Sequence, residues 1–164
     1  MHYGSLSGIT IFVFYMLLYF SGLSIFGPSS ILGIWIPVVF LVMATKFHRN
    51  HNLAGNMSYG QGVGIGFFTT VFSCTLFGLA FYLFGALYDV NLLETYKSQA
   101  AESLEAGKEL LSDKMLDKAM ESIDVVTMSS LAFSESFNKL ILGVLATLII
   151  AFIFRKNPQS TQSI

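Results

Sequence analysis

Acidic residues are missing from most of this chain. All ten of them lie between Asp89 and Glu135, and residues 1–88 and 136–164 contain none. Residues 1–45 also lack Lys and Arg. Only 12% of the 164 residues are charged and 54% are hydrophobic, whereas roughly 25% are charged in ordinary soluble domains. These absences exclude an ordinary soluble domain and indicate an integral membrane protein.

The single cysteine and the absence of catalytic residue patterns also exclude several classes of functional site. The single cysteine, Cys74, cannot form an intramolecular disulfide, and a zinc site needs more ligands than it supplies. No Ser/His/Asp, Cys/His or paired-carboxylate arrangement can be assembled from the residue spacing. No basic face or stacking groove for nucleic acid is visible. We therefore expect a protein that is not an enzyme, has no cofactor and binds no nucleic acid.

The apolar runs are long enough to predict four transmembrane helices. A helix rises ~1.5 Å per residue, so about 20 residues cross a hydrocarbon layer of ~30 Å. The predicted spans are TM1 at 6–26, TM2 at 30–45, TM3 at 59–88 and TM4 at 130–154. The turn residues Gly27-Pro28-Ser29-Ser30 separate the first two spans. We expect Pro37 to kink TM2 near its middle.

A secretory signal peptide is the other interpretation of the N-terminus. Such a peptide needs a basic segment before a short apolar one. Met1-His2-Tyr3 has no Lys or Arg, and the apolar run from Leu6 to Phe26 has the length of a full span. We therefore predict a retained transmembrane helix.

The segments that flank TM3 and TM4 have local signals. Residues 46–57 predict a polar, basic loop. Ser58-Tyr59-Gly60-Gln61 then matches a capping box, with Ser58 as the N-cap and Gln61 three residues later. Arg155-Lys156 and Asn157-Pro158 end TM4. We expect the tail 155–164 to be cytoplasmic, and residues 157–164 of it to be disordered.

Residues 89–126 predict an amphipathic helical hairpin. An apolar stripe recurs at three- and four-residue spacing, and acidic residues recur on the opposite side. Gly107 and Ser112-Asp113 are the expected break points. The stripe consists of Leu93, Tyr96, Ala100, Leu104, Leu111 and Met115, and the acidic side includes Glu102, Glu105, Glu109, Asp113 and Asp117.

The basic residues predict the orientation. Lys46 and Arg49 follow TM2, and Arg155 and Lys156 follow TM4. With four spans these two places lie on one side, which the positive-inside rule makes cytoplasmic. Both termini are then cytoplasmic and the acidic segment, with a net charge of −6 from its ten acids and four lysines, is extracytoplasmic.

Small residues at every fourth position mark one face of TM3 and one of TM4. Such faces allow close helix approach in lipid. The set is Gly62, Gly66, Thr70, Cys74 and Gly78 in TM3, and Gly143, Thr147 and Ala151 in TM4. We favour packing of TM3 on TM4 within one chain, and a homo-oligomer interface is the alternative.

Three other patterns have simple structural interpretations. Glu135 and Lys139 are spaced i,i+4. We expect Lys139 to lie near the outer edge of the hydrocarbon layer and to extend to the surface as an anchor, and a functional charge within the span is the alternative. His48 and His51 lack a third metal ligand, and we interpret them as loop residues. The glycines of 60–66 lack the spacing of a nucleotide-binding loop.

The order of these features resembles a known family. It comprises the basic loop, the Ser58-Tyr59-Gly60-Gln61 entry to TM3, the acidic helical segment and the Arg155-Lys156-Asn157-Pro158 end of TM4. Nearly the whole chain is similar to small bacterial membrane proteins catalogued as domain of unknown function 4199. The resemblance implies a four-helix protein of the inner membrane and supplies no catalytic residues.

Two functional hypotheses remain. The first is a non-enzymatic inner-membrane protein that binds or organises a membrane or periplasmic protein through Glu102, Glu105, Glu109 and Asp113. The second is a small transporter or channel component that forms homo-oligomers through TM3. The only partner that composition itself requires is the lipid bilayer.

Overall fold

The computed structural model describes residues 2–26, 32–108 and 112–156, and among these the regular secondary structure is entirely helical. The helices are α1 (His2–Phe20), α2 (Trp35–Phe47), α3 (Tyr59–Leu83), α4 (Leu92–Ala106), α5 (Asp113–Asp124) and α6 (Met128–Phe154). Two π-helical turns, His48–Asn52 and Phe84–Tyr88, continue α2 and α3. The predicted turn at 27–30, Leu111 and the tail residues 157–164 lie outside the described residues.

Four helical stretches are long and apolar enough to cross a membrane. They are His2–Phe20, Leu32–Asn52, Tyr59–Tyr88 and Met128–Phe154. Many of their large apolar side chains are exposed, including Leu17, Phe68 and Ile149. Lipid can cover such side chains, so the exposed faces fit a multi-pass membrane protein.

The first helix lies earlier in the chain than the predicted TM1, 6–26. It begins at His2 and ends at Phe20 because Gly22 adopts a positive φ of 71°. The amide of Gly22 donates to the carbonyl of Tyr19, and the amide of Leu23 donates to that of Leu18. These two bonds form a Schellman motif, which satisfies carbonyls at the helix end.

The second helix also differs from its prediction. Pro37 lies in the first turn of α2, where the amide that proline lacks would have no partner within the α-helix. It therefore does not interrupt a span at its middle. The helix continues beyond the predicted end at residue 45 through Lys46 to Asn52, so the first half of the predicted loop is helical.

Local sequence signals mark the starts of α3 and α6 and the end of α6. The capping box before α3 is confirmed: the Ser58 amide donates to Gln61 Oε1 at 2.9 Å, and the Gln61 amide donates to Ser58 Oγ at 3.3 Å. Thr127 and Ser130 make the equivalent reciprocal pair before α6, which the sequence analysis missed. The end of α6 at Phe154 is confirmed.

The chain divides into two compact units. The first contains Met1–Phe77 and Ser136–Ile164, and the second contains Gly78–Glu135. Ile11, Tyr15, Leu41 and Phe77 are among the most buried side chains of the first unit.

In the second unit Phe81, Leu92 and Leu131 are buried, and Gly85 packs against Met128. Its helices α4 and α5 contact each other. They are bounded by Gly107 and Ser112, which coincide with the two predicted break points.

Candidate functional site

The small faces of α3 and α6 meet in the first unit. A Cβ atom added to Gly62 would lie 2.9 Å from Ala151 Cβ, and one added to Gly66 would lie 2.6 Å from Thr147 Oγ1. A Cβ added to Gly143 would lie 3.2 Å from Thr70 Oγ1. Across these three contacts the residue numbers rise along α3 while they fall along α6, so the two helices are antiparallel. Glycine at these positions permits the close approach, because any side chain would collide.

The remaining two predicted small residues are placed differently. Cys74 is buried in the first unit and lines a cavity there with Thr70. Gly78 belongs to the second unit and is only partly buried. The described contacts with the small face of α6 therefore extend from Gly62 to Thr70.

A second close contact, between α1 and α3, was missed by the sequence analysis. A Cβ atom at Gly4 would lie 2.8 Å from the carbonyl oxygen of Thr69, and one at Gly8 would lie 2.6 Å from that of Ser73. Between them, Ser7 accepts a hydrogen bond of 2.9 Å from Ser73 Oγ. The spacing Gly4-x-x-x-Gly8 was the available signal, since it is a known motif for helix contact in lipid.

The ammonium group of Lys139 lies against two buried rings of the first unit, a contact that the sequence did not predict. Its ammonium nitrogen lies 4.5 Å from the centroid of the Phe77 ring and 4.7 Å from that of Tyr15. These rings are 0% and 3% exposed. Aromatic ring faces attract a cation, and the attraction is stronger when water is excluded. The half-buried side chain of Lys139 is therefore held against buried aromatic rings of the first unit.

The ammonium lies beside a small cavity. The cavity is about 10 Å³, close to the space that one water molecule needs. It is lined by Ser7, Ile11, Pro37, Leu41, Thr69, Thr70, Ser73, Cys74 and Lys139. The hydroxyl of Thr70 is buried without a hydrogen-bond partner among the described residues, as is that of Thr147. This volume, with the Lys139 ammonium and the Thr70 hydroxyl in its lining, suits a single water molecule.

The two histidines of the α2 end have neighbours on their own helix. The His51 ring stacks on Phe47 at 4.5 Å, and its Nδ1 lies 3.2 Å from the Phe47 carbonyl oxygen. His48 Nδ1 is 2.8 Å from the side-chain amide of Asn52. Among residues 2–26, 32–108 and 112–156, no group of three His, Cys, Asp or Glu is arranged to hold a metal.

The predicted acidic face lies in the second unit. Glu102, Glu105 and Asp113 are exposed, and Glu109 lies outside the described residues. The Lys97 ammonium donates a hydrogen bond of 2.9 Å to the backbone carbonyl of Asp124, which links α4 to the end of α5. No described contact neutralises the three exposed carboxylates.

Comparison with known proteins identified one family. A family model described as "Protein of unknown function (DUF4199)" matches residues 2–156, nearly the whole chain. No curated protein and no solved structure matched.

Proposed function

Since the chain belongs to the family of proteins of unknown function DUF4199, we propose a function from its geometry: it is a non-enzymatic membrane protein that binds a basic partner surface through α4 and α5. The observation that carries the proposal is the exposure of the carboxylates on these helices. Glu94, Glu102, Glu105, Asp113, Asp117, Glu121 and Asp124 are all exposed. An electrostatically complementary partner would be attracted to this surface and oriented by it.

The apolar residues of the same helices favour an outward acidic face. Leu93, Tyr96 and Leu104 of the predicted stripe are only partly exposed, as are Leu116 and Ile123. Met115, which was also predicted to belong to the stripe, is 59% exposed, so the stripe is turned from water along α4 but not at Met115. The contact between α4 and α5, with Lys97 bound to the Asp124 carbonyl, holds the two helices together. The charged faces then remain available to a partner.

We place this acidic segment outside the cytoplasm of a bacterial cell, at the inner membrane. The support is the distribution of charge: Lys46, Arg49, Arg155 and Lys156 flank two spans, and no acidic residue occurs outside 89–135. Basic residues next to spans are retained on the cytoplasmic side. The partner is therefore a periplasmic or membrane protein with a basic surface.

Cross-linking in cells tests this function. In Glu102→Lys/Glu105→Lys/Asp113→Lys, we expect the partner that the unmodified chain captures to be lost, and capture by the unmodified chain to weaken as salt rises. Lys118→Glu is the matched control on α5: it adds negative charge and should retain capture. Replacement of residues 92–124 by a Gly/Ser linker should leave the protein inserted but without its partner.

A small oligomeric transporter or channel component is the second candidate, and Lys139 favours it. Ionisable residues within spans are costly and commonly mark pathways for ions or solutes. Here the cation lies in the interior beside Thr70 and Ser73. Partner capture that persists in both the charge-reversal and the linker variants would contradict the first function and support this one.

A further inference from the structure

Two basic residues at the end of α2 lie close to an aromatic ring at the end of α6, where two further basic residues follow. The ammonium nitrogen of Lys46 lies 5.9 Å from the centroid of the Phe154 ring, and the guanidinium carbon of Arg49 lies 5.5 Å from it. Arg155 and Lys156 follow Phe154 directly and are exposed. We name Lys46, Arg49, Arg155 and Lys156 the basic cluster.

Backbone hydrogen bonds hold this arrangement. The Met57 amide donates to the Lys156 carbonyl at 2.9 Å, and the Lys156 amide donates to the Met57 carbonyl at 2.8 Å. The Met57 side chain is buried. The loop that follows Arg49 is thereby attached to the end of α6. The four cations are consequently positioned by the fold and not only by flexible side chains.

The basic cluster has no acidic side chain to neutralise it within its unit. All ten acidic residues lie between Asp89 and Glu135, outside the first unit. Lys46 and Arg49 are also three residues apart on one helix, so their charges are neighbours. Like charges at such spacing destabilise a helix, and over distances shorter than the Debye length of about 8 Å salt screens them incompletely. An external anion would relieve this repulsion.

We propose that the basic cluster binds the phosphate of an anionic phospholipid. Guanidinium groups bind phosphate oxygens in pairs, and ammonium groups add charge. The occupant is a lipid because exposed apolar side chains adjoin the cations: Phe152 is 56% exposed and Ile153 is 66% exposed. The cluster also lies at the end of an apolar span, where lipid headgroups are expected. The acyl chains would then contact α6 while the phosphate contacts the bases.

This proposal is independent of the proposed function, which concerns the acidic helices. It is tested with the full-length protein in a neutral detergent, by titration with phosphatidylglycerol, with phosphatidylcholine and with inorganic phosphate. We expect phosphatidylglycerol to raise the melting temperature of the protein, and we expect this rise to be smaller at high salt. The other two additives should have little effect, because one lacks net charge and the other lacks acyl chains.

Substitutions then locate the site. Each basic residue near an anionic membrane surface contributes about 1 kcal/mol, so Arg49→Gln and Arg155→Gln should each weaken the apparent phosphatidylglycerol affinity about fivefold. Lys114→Gln and Lys118→Gln remove the same charge from exposed positions of α5 and should leave the affinity unchanged.

Three results would overturn the assignment. They are an equal shift with phosphatidylcholine, an equal shift with inorganic phosphate, and an equal loss of affinity in the α5 controls. The lipid comparison uses the unmodified protein, so it decides the question even where an arginine variant fails to fold. Cross-linking of a partner to the acidic helices would be unaffected by any of these outcomes.

Discussion

At the scale of single residues, the close contact of α3 with α6 depends on the absence of a Cβ atom. We expect Gly66→Ala to lower the free energy of unfolding by about 1–3 kcal/mol, because the added methyl group would collide with the Thr147 side chain. Gly64 is the matched control. A Cβ atom there meets nothing within 4 Å, so Gly64→Ala should be neutral or stabilising, since Ala favours helix more than Gly. Thermal unfolding in detergent measures both effects.

A second substitution at this contact should restore part of the stability that Gly66→Ala loses. The Thr147 hydroxyl has no hydrogen-bond partner among the described residues, so Thr147→Ala breaks no described hydrogen bond while it removes the colliding atoms. The double variant Gly66→Ala/Thr147→Ala should therefore recover part of the stability that Gly66→Ala loses, as a positive coupling in a double-mutant cycle. Equal melting temperatures for Gly66→Ala and Gly64→Ala would show that α3 and α6 are not in contact at this point.

At the scale of an element, the end of α1 depends on the backbone of Gly22. Its φ of 71° is costly for other L-residues, by roughly 1–2 kcal/mol. A Cβ atom at Gly22 would meet nothing within 4 Å, so the cost of Gly22→Ala is conformational and not steric. We expect Gly22→Ala to lower the melting temperature and Gly22→Asn to lower it less, because Asn tolerates this conformation.

Gly60→Ala is the control for this substitution. Gly60 also has open space around it, but it lies in the first turn of α3, where alanine is favourable. If Gly22→Ala proved as stable as Gly60→Ala, the Schellman motif would not be what ends α1.

At the scale of the whole molecule, the distribution of charge predicts the topology that we propose. A reporter that is active only outside the cytoplasm should be silent after Ile164 and active when inserted at Gly107. We expect this result because four basic residues flank the ends of two spans, and such residues are retained on the cytoplasmic side. A reporter that is active only in the cytoplasm is the control and should give the opposite pattern. Activity of the first reporter after Ile164 would reverse the orientation and place the acidic helices in the cytoplasm.

Much of the architecture could be predicted from local sequence. Four apolar stretches predict membrane-spanning helices because a helix satisfies its own backbone hydrogen bonds, which lipid cannot do. The start of α3 is encoded by Ser58 and Gln61, and the end of α6 by the residues after Phe154. The helices α1 and α2 differ from the predicted spans because Gly22 ends α1 before the turn at Pro28, and because the helix continues past residue 45 through Lys46.

The sequence by itself thus determined the class of protein, the number of apolar spans and the confinement of acidic residues to one segment. Only the tertiary structure decided which faces meet. It paired Gly66 with Thr147, turned Lys139 towards Tyr15 and Phe77, and brought Lys46 and Arg49 to the ring of Phe154. The physical reason is that core-facing and lipid-facing residues of a membrane helix are equally apolar. Hydropathy therefore identifies a span but carries little information about its rotation, which is set by contacts between residues far apart in the chain.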